Sequence, residues 1–232
     1  MNFRAKKYGI VAGISLVLMA IVAGFTFGYA HRKLGANSPE GILNNLIANT
    51  SLFYTELAGW SIIFIFDLIV AFALYGFFRN ASKQLSAITA FIRVFYTLLL
   101  GIAILQLFKI VPAIAIDNPI HDHLTAVETA AHFQLFERLW SIGLIIFGLH
   151  LIGLGALSLK SQTVPKPIGY LLFFGGLGYT FLHGARQLSF FDPNQLQSVE
   201  TFLAFPMALA EILLAFWLLY SGLRKPHLEL KN

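Results

Sequence analysis

The chain contains no cysteine. Disulfides, thiolate metal sites, redox dithiols and a cysteine nucleophile are thereby excluded, although this says nothing about compartment. Charge is scarce too: 12% of the 232 residues are Asp, Glu, Lys or Arg, where soluble domains average about a quarter. Hydrophobic residues make up 57%, and no stretch between the apolar runs is long enough to build a separate water-soluble core. Residues 1–232 therefore read as one all-α integral membrane domain. Also missing are G-x-S-x-G, H-E-x-x-H, a Walker loop and a G-x-G-x-x-G between strand and helix, so the common hydrolase, metalloprotease and nucleotide signatures have no place here. The formal charge of +5 reports orientation in such a chain and does not imply nucleic-acid binding.

Six apolar runs are present. The first, 8–30, follows Arg4, Lys6 and Lys7 and ends on Gly28-Tyr29-Ala30, a small-x-small pattern. It is longer than the 7–15-residue core of a signal peptide, so a retained first helix is expected. Residues 31–50 are polar and turn-rich. In the second run, 52–78, Glu56, Trp60, Ile63 and Asp67 recur at helical spacing on one face. The brief link 79–83 forces the third run, about 85–110 with Arg93 inside it, to return antiparallel beside the second.

Residues 112–134 leave the membrane, with Asn118-Pro119 as an expected helix start. Ile120, Leu124, Val127, Ala131 and Leu135 form an apolar stripe beside His121, Thr125, Glu128 and His132. This pattern predicts a short amphipathic helix on the outer surface. The fourth run, 136–159, opens on Glu137-Arg138 and carries His150 at its middle. The fifth follows Pro165 and Pro167 and holds Gly175, Gly176 and Gly178, which admit close helix contact, then Tyr179, His183, Arg186 and Gln187. The sixth, 201–223, contains Pro206, Glu211 and Trp217. The expected fold is a bundle of six transmembrane helices plus the outer amphipathic helix.

Six spans can be oriented by their basic residues. Arg4, Lys6, Lys7, Arg79, Lys83, Lys160, Lys166, Arg224, Lys225 and Lys231 fall on one side; Arg32, Lys33, Lys109, Arg138 and Arg186 fall on the other. Ten against five, with Arg93 inside a span, predicts both termini in the cytoplasm.

The buried ionisable residues then form two layers. Asp67, Arg93, His150 and Glu211 lie near mid-membrane, whereas Glu56, Glu137, Arg138, His183, Arg186 and Gln187 lie near the outer helix ends. Ionisable groups at such depth turn towards the bundle interior or a wet cavity, so an outward-opening polar cleft is expected. Asp67 with Arg93 also reads as a structural ion pair between neighbouring helices, and Glu137-Arg138 as interfacial anchors. A metal is not expected: Glu128 and His132 are four apart, but His121 is about 10 Å further along the helix from Glu128. His150 and His183 lie at different depths and make no haem pair. No cofactor is assigned.

FGLHLIGLG (147–155), DLIVAFALY (67–75), AFIRVFY (90–96), FFDPNQLQ (190–197) and PMALAEILLAFWLL (206–219) together resemble a bacterial family of multi-spanning membrane proteins catalogued as domain of unknown function 4386. The resemblance runs over almost the whole chain. It implies six helices, a bacterial cytoplasmic (inner) membrane and Asp67, Arg93, His150 and Glu211 as recurring polar positions; it brings no activity, substrate or cofactor. Two classes of function fit the residues best. One binds or transports a small amphipathic or lipid-like molecule through Asp67, Arg93, His150, Glu211, Glu56, His183 and Arg186; the other is an intramembrane enzyme with His150 and Glu211 as acid and base. A structural partner subunit is a third reading. Beyond the lipid bilayer no partner is indicated, and the oligomeric state is not encoded in any pattern found.

Overall fold

In hydrocarbon the backbone has no water to bond, so each long apolar run satisfies its own N–H and C=O groups as a helix. The computed structural model describes residues 3–115, 122–188 and 191–224, with backbone alone at 193–195 and 197. The elements are α1 (Phe3–Phe25), a π-helical turn (Thr26–His31), α2 (Arg32–Leu34), α3 (Pro39–Ala48), α4 (Thr50–Phe78), α5 (Lys83–Phe108), a 3-10 turn (Val111–Ile114), α6 (His123–Lys160), α7 (Lys166–Leu188) and α8 (Pro193–Leu223). No strand occurs among the described residues. Five helical stretches there are long and apolar enough to cross a bilayer, within α1–α2, α4, α5, α6 and α8. With its glycines and polar end α7 is not among them, yet it packs with α6 and α8 as a full member of the bundle.

The six long helices close into a ring. Each of α4, α5, α6, α7 and α8 packs on the helix before it, and α8 returns to α1. Neighbours are antiparallel: Gly76 of α4 abuts Tyr8 of α1, Gly143 of α6 meets Tyr96 of α5, and Gly175 of α7 meets Met207 of α8. The two ends of the described chain therefore meet, with Lys6 Nζ donating to the Arg224 carbonyl at 2.7 Å. That end of the ring is called proximal below, and the opposite end distal. Contact is closest between α6 and α7, where a Cβ on Gly155 would lie 2.7 Å from the Phe173 nitrogen and 2.8 Å from the Gly169 carbonyl oxygen. Glycine here lets two backbones touch.

At the distal end the architecture departs from the sequence reading. Residues 31–50 are more than a polar link: α3 forms there, started by Pro39 and by Ser38 Oγ, which accepts from the Gly41 N–H at 3.1 Å. The outer segment is helical, but it is continuous with the fourth run as the single helix α6. Its cap is Asp122, whose side chain accepts from the Thr125 N–H at 2.8 Å; Asn118, Pro119, Ile120 and His121 lie outside the described residues. At 1.5 Å per residue α6 is about 57 Å long, against a hydrocarbon layer of about 30 Å, so its first turns project beyond the bilayer. There the expected apolar stripe of Leu124, Val127, Ala131 and Leu135 is exposed, while Ala126, Thr129, Ala130 and Phe133 are buried. The reason is α3, which covers that second face with Ile42, Leu43 and Leu46. Exposed Glu40 and His123 tie the starts of the two helices together at 2.6 Å. Its own backbone N–H, and then His123, hold the Glu40 carboxyl below the usual carboxylate range.

Candidate functional site

Two polar centres stand at different depths. The distal one is built on the π-helical turn, an insertion that often marks functional positions. The turn brings His31 inside, where it is 2% exposed. Its ring lies parallel to Phe133 at 4.5 Å between centroids and beside Phe27 at 5.9 Å. His31 Nδ1 is 2.6 Å from Glu56 Oε1 and Nε2 is 3.2 Å from Glu137 Oε1. An ionised carboxylate only accepts, so an imidazole bridging two of them carries both protons and is a cation. Glu56, fully buried, also accepts from Trp60 Nε1 at 3.1 Å, and its Oε2 has no hydrogen-bond partner among the described residues. Trp60 packs edge to face on both Phe136 and Trp140 beside the pair.

Beside this cluster a cleft of about 620 Å³ is lined by Phe27, Gln134, Glu137, Arg138, Trp140, Ser141, His183, Arg186 and Gln187. On α6, residues 134, 137, 138 and 141 share one face by helical spacing, and 183, 186 and 187 do the same on α7. Ser141 Oγ sits 3.0 Å from His183 Nδ1 and accepts from Gln187 Nε2 at 3.1 Å. Arg186 pairs with Glu200 at 2.5 Å. Glu137, Arg138, His183, Arg186 and Gln187 of the expected outer layer thus meet in one cleft, whereas Glu56 stands behind its wall and reaches it through His31 and Glu137. A second hollow of about 410 Å³, lined in part by Arg32, Asn37 and Phe133, shares Gln134 and Glu137 with the first.

His31 was missed by sequence reasoning because the small-x-small pattern closes the first run at Ala30. One signal was available: Phe27 and His31 are four apart, so continuing the helix by one residue places both on one face.

The mid-membrane centre joins α4, α5 and α6. Arg93 Nη2 donates to Asp67 Oδ1 at 2.5 Å, and Nη1 is 3.2 Å from His150 Nε2. His150 Nδ1 lies 2.9 Å from the Thr89 carbonyl oxygen. A carbonyl accepts and a guanidinium donates, so His150 is the neutral tautomer protonated at Nδ1. All three side chains are buried, and the guanidinium lies 5.4 Å from the Phe147 ring centroid. The triad is electrically balanced, with one cation, one anion and a neutral ring. Arg93 and His150 each stand ten residues, about 15 Å, from the proximal ends of their helices.

The structure does not bring Glu211 into contact with His150, whose two ring nitrogens are taken by Arg93 and Thr89. Glu211 is half-buried and makes no hydrogen bond or ion pair among the described residues. It lies within electrostatic reach of Arg93, Asp67 and Tyr179. Of the residues weighed for a metal, His132 Nδ1 is 3.2 Å from Gln106 Oε1, and no group of three His, Asp or Glu among the described residues is placed to hold an ion.

A family model described as Domain of unknown function (DUF4386) matches residues 11–222. An uncharacterized protein of Archaeoglobus fulgidus is 30% identical over 168 residues, covering 72% of this chain and 83% of its own length. No solved structure matches. A match that begins in α1, ends in α8 and takes in both polar centres places the whole ring in one family: the chain belongs to the DUF4386 family of unknown function.

Proposed function

We propose that the protein binds a small amphipathic or lipid-like molecule in the distal cleft. The observation that carries this reading is the cleft itself. Its volume of about 620 Å³ lies within the roughly 300–1,000 Å³ of small-molecule sites. Aromatic Phe27 and Trp140 stand in its lining beside polar groups of both signs, a combination that suits a molecule with an apolar body and a polar head.

Trp140 provides the readout. A bromine-labelled fatty acid should quench its fluorescence saturably in detergent-purified protein, and Ser141→Phe, which fills the cleft from the α6 wall, should abolish the saturable part. Quenching that rises without saturation and ignores Ser141→Phe would sink the reading.

Catalysis through His150 and Glu211 receives less support, because His150 is closed off by its two partners and touches no carboxylate. A passive partner role has no specific observation in its favour, since apolar exposure along the ring is what lipid contact requires.

The distal end faces outward, with both termini in the cytoplasm and the protein in the cytoplasmic membrane, on the strength of the ten-to-five basic count. With no native cysteine, single variants are clean probes. Thr125→Cys should react with an impermeant maleimide added to intact cells and Asn80→Cys should not; the reverse result would invert the orientation.

A further inference from the structure

The seam between α1 and α8 is lined by small residues. On α1, Gly13, Val17, Ala20 and Gly24 share one face by helical spacing; on α8, Ala204, Ala208, Glu211 and Ala215 do the same. The two faces meet in the proximal half, where a Cβ on Gly13 would lie 2.9 Å from the Ala215 carbonyl oxygen and one on Gly9 3.4 Å from that of Leu218. Distal to that point both faces keep accessible surface. Ala20 and Gly24 on one side, and Ala204 and Ala208 on the other, are exposed, and a Cβ on Gly24 would meet nothing within 4 Å. Side chains this small and this accessible on both helices leave room for a crevice between α1 and α8 that opens to hydrocarbon.

Glu211 stands at the inner end of this crevice. Its inward neighbours one and two turns away, Met207, Leu214 and Leu218, are buried, yet Glu211 keeps accessible surface, so open space adjoins it. The charge count sharpens the point. Arg93 is neutralised by Asp67, His150 is a neutral ring, and His31 is held by its own carboxylates. Glu211 is left as the one mid-membrane carboxyl without a partner among the described residues. An isolated carboxylate at that depth is costly and either takes up a proton or is met by positive charge; a cationic occupant meets it.

We infer that Glu211 receives the cationic head of a lipophilic organic cation that enters from the bilayer through the crevice between the distal halves of α1 and α8. This goes beyond the binding reading above and adds a second site, adjacent to the cleft, for a different class of molecule. A divalent metal ion would require several ligands, and no group of three His, Asp or Glu among the described residues is placed to hold one. Aromatic and thioether surfaces, by contrast, are at hand. Tyr179 and Tyr96 lie within electrostatic reach of Glu211, Phe147 packs against Tyr179 at 5.4 Å between centroids, and Met207 is one turn away. Such surroundings suit a weakly hydrated cation. Tyr179 also stacks on His183 of the cleft lining, so the two sites are adjacent.

The test uses tetraphenylphosphonium as probe, measured by equilibrium dialysis against the detergent-purified full chain, with tetraphenylmethane as the uncharged analogue of the same shape. Wild type should bind the cation saturably and in clear preference to the analogue. Glu211→Gln should weaken that binding by about tenfold or more, the scale of one lost charge contact, and Glu211→Asp should keep most of it. Ala208→Trp, which plugs the crevice while leaving the carboxyl in place, should slow or abolish binding even if Glu211→Gln fails to fold. Equal binding of cation and analogue, or binding of the cation unchanged in Glu211→Gln and Ala208→Trp, would overturn the inference. Persistence of saturable Trp140 quenching by the fatty acid in those same variants would then leave the cleft reading standing.

Discussion

Arg93→Gln is expected to destabilise the protein by about 3–5 kcal/mol, the scale of stranding one member of a buried ion pair. Arg93 and Asp67 are both buried, with the guanidinium on the carboxylate at 2.5 Å. Without Arg93, Asp67 is an uncompensated anion near mid-bilayer, and His150 Nε2 loses its donor as well. Asp67→Asn strands the opposite charge and should cost a similar amount. Combining the two removes both charges, and the double variant should be markedly more stable than the worse single one. Unfolding of detergent-solubilised protein by added SDS, followed by helical circular dichroism, measures all three. A double variant no better than the worse single would mean that the two charges do not compensate each other. His150→Ala leaves the ion pair intact and should have the smaller effect, since the ring contributes one hydrogen bond to a guanidinium that keeps its carboxylate.

The second large effect is expected at a residue outside the sequence-derived site. His31→Gln should also cost about 3–5 kcal/mol, because it leaves Glu56 charged, fully buried and held by Trp60 alone. Glu56 Oε2 already lacks a partner, so nothing nearby takes up the charge. Glu56→Gln in the same background should restore most of the loss. The same unfolding assay reads the effect, and the near-ultraviolet dichroism of Trp60 and Trp140, packed 5.0 Å apart, reports whether the aromatic cluster loosens. A neutral outcome for His31→Gln would show that Glu56 is uncharged in the folded protein and that His31 is not an imidazolium.

These two centres differ in how far they could be read from the chain. Asp67 and Arg93 were legible as neighbours because a four-residue turn leaves the second and third runs no choice but to pack side by side. The cleft was legible as a layer: His183, Arg186 and Gln187 lie near the distal end of α7, Glu137 and Arg138 open the fourth apolar run, and depth follows from counting residues along a helix of fixed rise. His150 was legible as buried and polar, but its partner was not. It sits on Arg93, one helix away in the ring, and Glu211, the other mid-membrane candidate, has no partner among the described residues.

The distal structure escaped for a different reason. The exposed stripe on α6 and the buried face under α3 are both apolar, and periodicity cannot rank two such faces when a short helix from elsewhere in the chain covers one of them. The π-helical turn escaped because a period-3.6 reading has no term for the extra residue that swings His31 inward.

Composition and periodicity by themselves determined that the chain is a helical membrane bundle, where its apolar runs lie and the antiparallel order of neighbours, because these follow from bilayer thickness, helix rise and short links. Tertiary structure alone decided that the ring closes through α1 and α8, that His31 rather than a cleft residue neutralises Glu56, and that Glu211 has no partner among the described residues. Those outcomes depend on how helices far apart in sequence cross and rotate against one another. Glycine contacts and buried charges set that geometry cooperatively, and no local pattern encodes it.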